Sequence, residues 1–150
     1  MSYEYPWYYE GEIFDPNAED IEQYAGFVYL IINHNNDRMY IGKKFFWSVK
    51  KLPPLKGKSR KRIKRVQSDW KNYWGSSNKL LADIEESGLD NMERHVLRLC
   101  NTKTECAYYE LKEQMDRNVL LTNEYYNEFI GGKINGRFLI EDDVDDSDLL

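Results

Sequence analysis

The sequence predicts an α+β fold in which a small, mainly antiparallel β-sheet of three strands is flanked by helices. Two observations favour this class. Short apolar segments rich in β-branched and aromatic residues alternate with segments of helical periodicity, and 150 residues, 41% of them hydrophobic, suffice for one domain with a core. We expect an acidic, aromatic arm at residues 1–23 that packs onto a domain at residues 24–140, followed by an acidic, disordered tail at residues 141–150.

The first predicted unit is a β-hairpin. Residues 26–32 (GFVYLII) form a short apolar run typical of a buried strand. Residues 33–37 (NHNND) favour a turn, because Asn and Asp tolerate left-handed backbone. Residues 38–41 follow as the second strand, and Gly42 closes it.

A basic helix is predicted from about residue 59 to the glycine and serines at 75–77. Its apolar residues Ile63, Val66 and Trp70 have i, i+3 and i+7 spacing and therefore share one helical face. Lys and Arg residues surround that face.

A second helix is predicted from Ser76 or Ser77, either of which can cap it, to a stop at Gly88. Residues 92–100 (MERHVLRLC) predict the third strand. For residues 119–130 the sequence allows a short helix or a loop followed by a helix, and residues 134–140 could form one last strand.

A third helix is predicted after that third strand. Thr102 and Glu105 form a capping box at its start, and the helix runs to about Asn118. Its apolar positions with helical spacing are Tyr108, Leu111 and Met115.

The formal net charge of −5 conceals a basic segment between two acidic ends. Residues 38–71 contain 13 Lys or Arg residues, with Asp69 as their only acidic residue. Residues 1–25 contain seven acidic residues and residues 141–150 contain six, in both cases without a base. Such asymmetry is typical of a surface that binds an anionic partner, although a solvated basic surface has the same composition.

Membrane and zinc-binding classes are not supported. The chain has no apolar run of transmembrane length and no signal-peptide pattern at its start. Cys100 and Cys106 match neither a zinc nor a redox spacing. We therefore expect a reduced, cytoplasmic protein without a membrane partner.

The predicted hairpin contains two short motifs, Gly26-Phe27-Val28-Tyr29 in its first strand and Tyr40-Ile41-Gly42-Lys43 in its second. Together they resemble the signature of the GIY-YIG nuclease family. The second motif matches literally, whereas the first keeps the tyrosine and has Phe27-Val28 in place of the family's Gly-Ile. The resemblance covers about residues 24–130 and is to small phage-borne members and to stand-alone homing-type or restriction-type nucleases.

This resemblance implies hydrolysis of phosphodiester bonds in double-stranded DNA with one divalent cation, Mg²⁺ or Mn²⁺. Glu110, in the middle of the capped helix, corresponds to the family's metal-binding glutamate. Tyr29 would orient or deprotonate the attacking water, with Lys43 as a neighbouring cation that favours the phenolate. Tyr40 would position water or phosphate.

The resemblance also implies an arginine that holds the phosphate and an asparagine that supports the site. Arg65, with Arg62 next, is the candidate for the first role, and Asn127, with Asn123 behind it, for the second. Further contacts to the DNA are expected from Lys44, Lys58, Arg60, Lys61, Lys64, Lys71 and Trp74.

Two alternatives remain open at this point. The altered first motif leaves room for a catalytically silent module that binds nucleic acid or protein on the same fold. The acidic residues at 141–150 could instead imitate phosphate and restrain an active nuclease. With no second DNA-binding domain expected in 150 residues, sequence preference would come from the module itself, a homodimer or a partner.

Overall fold

The computed structural model describes residues 3–131, which fold around a five-stranded sheet. Its elements in chain order are β1 (Trp7–Tyr9), β2 (Glu12–Phe14), β3 (Gly26–Asn33), β4 (Arg38–Phe45), β5 (Trp47–Leu52), β6 (Arg62–Gln67), α1 (Asn78–Ser87), β7 (Met92–Cys100) and α2 (Lys103–Asp116). The sheet has the strand order β2-β1-β7-β3-β4, and β5 and β6 form a separate ribbon. Within the described residues, no helix has the length and apolar character needed to cross a membrane.

The predicted hairpin and third strand are confirmed. β3 and β4 pair antiparallel, with Tyr29 opposite Gly42 and Ile31 opposite Tyr40. The turn contains Asp37 in the left-handed conformation (φ 61°), which Asn and Asp tolerate best among non-glycine residues. β7 pairs antiparallel with the other side of β3. The strand β4 therefore lies at the edge of the sheet, where a site can open beside it.

The main sheet has five strands, so the prediction of three was wrong. The N-terminal segment supplies the two extra strands, since β1 pairs parallel with β7 and antiparallel with β2. The side chain of Trp7 is fully buried, and its indole N–H donates to the carbonyl of Trp70 over 2.8 Å. Strands of three residues show too little alternation of apolar and polar residues to be recognised from the sequence. The only indication that residues 1–23 belong to the fold was their aromatic rings, which we expected to pack onto the domain.

The segment predicted as a basic helix is also different. Its central part is β6, which pairs antiparallel with β5, and a single 3₁₀ turn, Trp70–Asn72, follows. Ile63 is 71% exposed, whereas Trp70 is fully buried. The β-branched Ile63 and Val66 fit a strand at least as well as a helix, and pairing with β5 satisfies the backbone groups that face the partner strand.

The two predicted helix caps are confirmed. The Ser77 hydroxyl accepts a hydrogen bond from the amide of Leu80, and the Thr102 hydroxyl accepts one from the amide of Glu105. The apolar positions with helical spacing do not form the buried face of α2, however. Tyr108 and Met115 are 40% and 60% exposed, and the helix instead buries Cys106 and Gln114 against the sheet.

Residues 119–130 contain no helix. They follow the edge of the sheet, where Tyr125 forms a bridge with Met39 of β4. The predicted strand at residues 134–140 and the acidic tail at 141–150 lie outside the described residues.

Apolar side chains pack on both faces of the sheet. One core contains Trp7, Phe27, Tyr29 and Ile31, and the other lies beneath α2. This second core contains Val28, Leu30, Ile41, Cys100 and Cys106. The main sheet is therefore packed on both of its faces.

A buried arginine joins the N-terminal segment to the domain. Arg94 is 1% exposed and donates hydrogen bonds to the carbonyls of Tyr5, Lys71 and Tyr73. Its guanidinium lies between the rings of Trp7 and Trp74, at 4.5 Å and 4.1 Å. Burial lowers the pKa of Arg94 to about 10 because a desolvated cation is less stable.

Candidate active site

The motif residues meet at the edge of β4 although they come from opposite faces of the sheet. Alternation along β4 places Tyr40 on the face that carries Tyr29, and Lys43 on the face covered by α2. A cleft of about 380 Å³ opens at this edge. Its lining includes side chains from both motifs and from α2, namely Tyr29, Tyr40, Lys43, Lys44 and Glu110.

Gly42 allows the hydroxyl of Tyr29 to cross the edge strand. Tyr29 lies directly opposite Gly42 in the β3–β4 pairing. A Cβ atom at position 42 would collide with the Tyr29 hydroxyl and with its ring. The glycine of the second motif therefore has a steric role, because it lets the phenol of the first motif reach the cleft.

Lys43 and Glu110 form the ionic contact of the cleft. The Nζ atom of Lys43 donates to Oε1 of Glu110 over 3.0 Å. The side chain of Glu110 is only 15% exposed, so this carboxylate is well shielded from water and yet borders the cleft. Among the hydrogen bonds of the described residues the partner of Lys43 is Glu110, whereas the sequence led us to expect Lys43 as a neighbouring cation of Tyr29.

Both tyrosines are held in the protonated form. Burial raises the pKa of Tyr29 well above 10, and neighbouring Tyr73, Tyr40 and Glu110 raise it further. Burial also raises the pKa of Tyr40, although its hydrogen bond with Ser76 (3.1 Å) acts in the opposite direction. Both shifts favour the neutral phenol, which can donate or accept a hydrogen bond.

Asn127 supports the second motif through the backbone of Ile41. Its Oδ1 atom accepts from the Ile41 amide over 3.1 Å, and its Nδ2 atom donates to the Ile41 carbonyl over 2.8 Å. Gln114 of α2 donates to the same carbonyl over 3.2 Å. The runner-up Asn123 is exposed. Sequence reasoning missed Gln114, although it lies one helical turn after Glu110 and therefore on the same side of α2.

The two arginine candidates do not line the cleft. Arg65 lies over the ring of Trp47 at 4.0 Å and donates to the carbonyl of Glu22. Arg62 donates to the carbonyl of Pro53, at the far end of β6. The structure therefore does not bring either arginine together with Tyr29 and Glu110.

Lys44 occupies the cleft instead. Its Nζ atom lies 2.6 Å from Asp69 and 4.1 Å from the centre of the Tyr73 ring. Asp69 is exposed, so this pair is open to exchange with another anion. Among the candidate DNA contacts, Lys44 is thus the one that lines the cleft together with the two tyrosines.

The other predicted DNA contacts are distributed unevenly. Lys64 lies on the exposed β6 strand, and Lys58, Arg60 and Lys61 lie in the exposed loop that precedes it. Lys71 is paired with Asp15 over 3.4 Å, and the ring of Trp74 is covered on one side by Arg94. The Lys71–Asp15 pair is exposed and, like Lys44–Asp69, open to exchange with another anion, whereas the face of Trp74 beneath Arg94 is not available to a base.

Sequence reasoning did not assign Tyr73 or Ser76 to the site. Both follow the 3₁₀ turn, and Gly75 between them has φ 89°, a conformation that favours glycine. The Tyr-Trp-Gly-Ser-Ser segment at 73–77 was the available signal, because it combines hydrogen-bonding side chains with a glycine at a turn.

Glu110 is the candidate metal ligand. Within residues 3–131 no three His, Cys, Asp or Glu side chains lie close enough together to enclose a metal ion. A single carboxylate beside an open cleft nevertheless fits Mg²⁺, which retains several water ligands and often binds through one carboxylate and substrate phosphates. The donor set is thus compatible with one hydrated divalent ion.

Comparison with known proteins agrees with this geometry. Residues 7–130 match the family model described as "Putative endonuclease segE, GIY-YIG domain". The chain therefore belongs to the GIY-YIG endonuclease family. No match was found among curated proteins or among solved structures.

Proposed function

We propose that the protein is a metal-dependent endonuclease that hydrolyses phosphodiester bonds of double-stranded DNA in the cleft beside β4. The observation that carries this proposal is the convergence of Glu110 and Lys43, 3.0 Å apart, with the hydroxyl-bearing Tyr29 and Tyr40 in one cleft. Membership of an endonuclease family supports the same reaction class.

Glu110 would hold the divalent cation, Mg²⁺ or Mn²⁺. When bound, such an ion stabilises the negative charge that develops on the phosphate and on the leaving oxygen. Glu110 then has two competing partners, the metal ion and the ammonium group of Lys43. In the proposed active state Lys43 is released and its charge becomes available to the DNA phosphate.

The two tyrosines act as hydrogen-bonding groups. Because the pKa of Tyr29 is raised well above 10, its hydroxyl would orient the attacking water and keep its own proton, and the proton that the water loses would pass to solvent in the open cleft. Tyr40, fixed by Ser76, is placed to orient the phosphate or the same water. Positioning of this kind lowers the entropic part of the barrier.

Lys44 takes the phosphate-binding role that the sequence assigned to an arginine. It lines the cleft, whereas Arg62 and Arg65 do not. An ammonium group binds phosphate as a point charge, without the two-pronged geometry of a guanidinium. Replacement of Lys44 should therefore affect substrate affinity more than geometry at the reacting phosphorus.

No arginine among residues 3–131 lines the cleft, and this favours a second candidate function. On this alternative the protein binds nucleic acid on a nuclease fold without cutting it. The two functions differ in one observable, since binding without any strand cleavage is expected only for the second.

A plasmid assay tests the proposal. Purified protein is incubated with supercoiled DNA and Mg²⁺ or Mn²⁺, and nicked and linear products are measured by gel electrophoresis. We expect cleavage by the wild type and its loss in Glu110→Gln and Tyr29→Phe. The matched controls are Glu113→Gln and Tyr108→Phe, both on α2 and outside the cleft. DNA binding without cleavage by the wild type would support the silent module instead.

A further inference from the structure

The β5–β6 ribbon is a basic extension that starts at the cleft. Between residues 47 and 67 the sequence has nine Lys or Arg residues and no acidic residue. Apart from its base at Trp47 and Val66 and a half-buried Leu52, the ribbon is exposed on both sides. Even its apolar Val49 and Ile63 are 63% and 71% exposed. Because a two-stranded ribbon with so little contact to the domain is only marginally stabilised by the core of this chain, we expect its exposed surface to bind a partner.

The two faces of the ribbon differ in their surroundings. Cross-strand partners share a face, and successive residues alternate between faces. We call one side the outer face, and it consists of Trp47, Val49, Lys51, Ile63, Arg65 and Gln67. On this face Trp47 donates to the Tyr24 carbonyl and Arg65 donates to the Glu22 carbonyl. The outer face is therefore turned at its base toward residues 22–24. We call the opposite side the cleft face, and it consists of Ser48, Lys50, Leu52, Arg62, Lys64 and Val66.

The cleft face continues the lining of the active-site cleft. Ser48 lines the same cleft as Glu110 and Lys44, as does Trp47 at the base of the outer face, where Arg65 lies over the Trp47 ring. The next residue on this face along β5 is Lys50, which lies about 7 Å further along the strand at about 3.4 Å per residue. Phosphates of one DNA strand also recur at intervals of a few ångströms, about 3.4 Å along the helix axis. A strand that leaves the cleft past Ser48 thus meets Lys50 within one or two nucleotides.

Lys50 and Lys64 lie directly opposite each other in the β5–β6 pairing. Like charges at directly opposed positions destabilise an antiparallel pair. Neither side chain has an ion-pair partner among the described residues. An anion held between the two ammonium groups would offset the repulsion, and backbone phosphate is the anion that the proposed reaction brings to this place.

We propose that Lys50 and Lys64 bind backbone phosphates of the DNA duplex whose reacting phosphate lies beside Glu110. The cleft face of the ribbon then acts as a phosphate-binding track that fixes how the duplex enters the cleft. This inference rests on the proposed function for the identity of the ligand. It concerns binding only, and can therefore be tested without cleavage.

The test measures affinity against salt concentration. A fluorescein-labelled duplex is titrated with the full chain in EDTA, without metal, between 50 and 200 mM NaCl, and binding is followed by fluorescence anisotropy. Each lost phosphate contact reduces the slope of log Kd against log salt by about 0.9. We expect Lys50→Gln and Lys64→Gln to reduce the slope by about 1 each and the double variant by about 2, with about tenfold weaker binding.

Lys51→Gln is the matched control. Lys51 neighbours Lys50 on β5, has the same exposure and charge, and lies on the outer face. It should leave the slope unchanged, because charges that are not in contact with phosphate are screened over about 10 Å at 0.1 M salt. Circular dichroism of each variant checks that the fold is retained.

The outcomes separate this inference from the proposed function. Equal changes in slope for Lys50→Gln and Lys51→Gln, or no change for the double variant, would overturn the phosphate track even if the wild type cuts plasmid. A slope that is reduced in Lys50→Gln and Lys64→Gln but not in Lys51→Gln would support the track even if no cleavage is detected. Only the nuclease proposal would then fail.

Discussion

The hydroxyl of Tyr29 passes over the backbone of Gly42, its direct cross-strand partner, on its way to the cleft. The tyrosine of the first motif and the glycine of the second are therefore one steric unit. Neither residue explains the site alone. The phenol of Tyr29 reaches the cleft only because Gly42 has no side chain, and Gly42 itself has no reactive group.

Gly42→Ala is expected to destabilise the protein and to displace the Tyr29 hydroxyl. The added methyl group would overlap the phenol in a packed core, where overpacking costs about 1–3 kcal/mol. Urea unfolding followed by tryptophan fluorescence measures the loss. In a Tyr29→Phe background the cost should be smaller, because the nearest clashing atom is gone. Equal costs in the two backgrounds would contradict the steric relationship.

Asn127→Ala is expected to lower the free energy of unfolding by about 1–3 kcal/mol, because the buried amide of Ile41 loses its acceptor. The Ile41 carbonyl keeps Gln114 as a donor, so the loss is smaller than for two orphaned groups. Asn123→Ala is the control, since an exposed substitution usually changes stability by less than about 0.5 kcal/mol. Similar losses for the two variants would argue against the supporting role of Asn127.

The parts of the fold that follow from the sequence are those fixed by local chemistry. The Asn-rich turn before Arg38 and the caps at Ser77 and Thr102 depend on residues a few positions apart, and all three were predicted. The β6 strand depends on pairing with β5 across a loop. The spacing of Ile63 and Val66 within β6 is equally compatible with a helix. Only the pairing with the distant β5 strand makes this segment a strand.

The same distinction applies to the candidate site. The motifs identify Tyr29, Tyr40 and Glu110 by residue type and order, and the structure places all three in one cleft. The Lys43–Glu110 contact joins residues 67 positions apart, which no local pattern specifies. Arg65 lies away from the cleft because it belongs to the ribbon. The sequence could not indicate this position, because it predicted a helix in place of the β6 strand.

The buried phenol of Tyr29 should make stability fall at alkaline pH. In the unfolded chain tyrosine has a pKa of about 10, and in the folded protein burial raises it well above 10. The stabilisation is complete below pH 10 and is lost as the pH rises from 10 through the folded pKa, because the unfolded state then releases its proton first.

Urea unfolding of the wild type and Tyr29→Phe between pH 7 and pH 12 isolates this contribution. The difference in unfolding free energy should be constant below about pH 9 and should change above pH 10 by up to about 1.4 kcal/mol per pH unit. Tyr108→Phe, on the exposed side of α2, is the control substitution. A pH-independent difference between wild type and Tyr29→Phe would show that Tyr29 ionises normally in the fold.

Lys43→Met should affect metal binding and cleavage in opposite directions. In the free protein the ammonium group of Lys43 donates to Oε1 of Glu110, so it would compete with the proposed metal ion for this carboxylate. Removal of that competitor should tighten Mn²⁺ binding in the absence of DNA. For a partly exposed pair worth about 0.5–1 kcal/mol, the expected gain is about two- to fivefold, measured by electron paramagnetic resonance of free Mn²⁺.

Cleavage by the same variant should nevertheless decrease, because the charge that Lys43 offers the phosphate after its release from Glu110 is missing. Lys112→Met is the matched control, since Lys112 lies on α2 and pairs with Asp116 away from the cleft. Weaker Mn²⁺ binding by Lys43→Met would mean that Lys43 holds Glu110 in position for the metal instead of competing with it. Unchanged cleavage with tighter Mn²⁺ binding would leave Lys43 as a competitor alone, and the phosphate charge would then rest on Lys44.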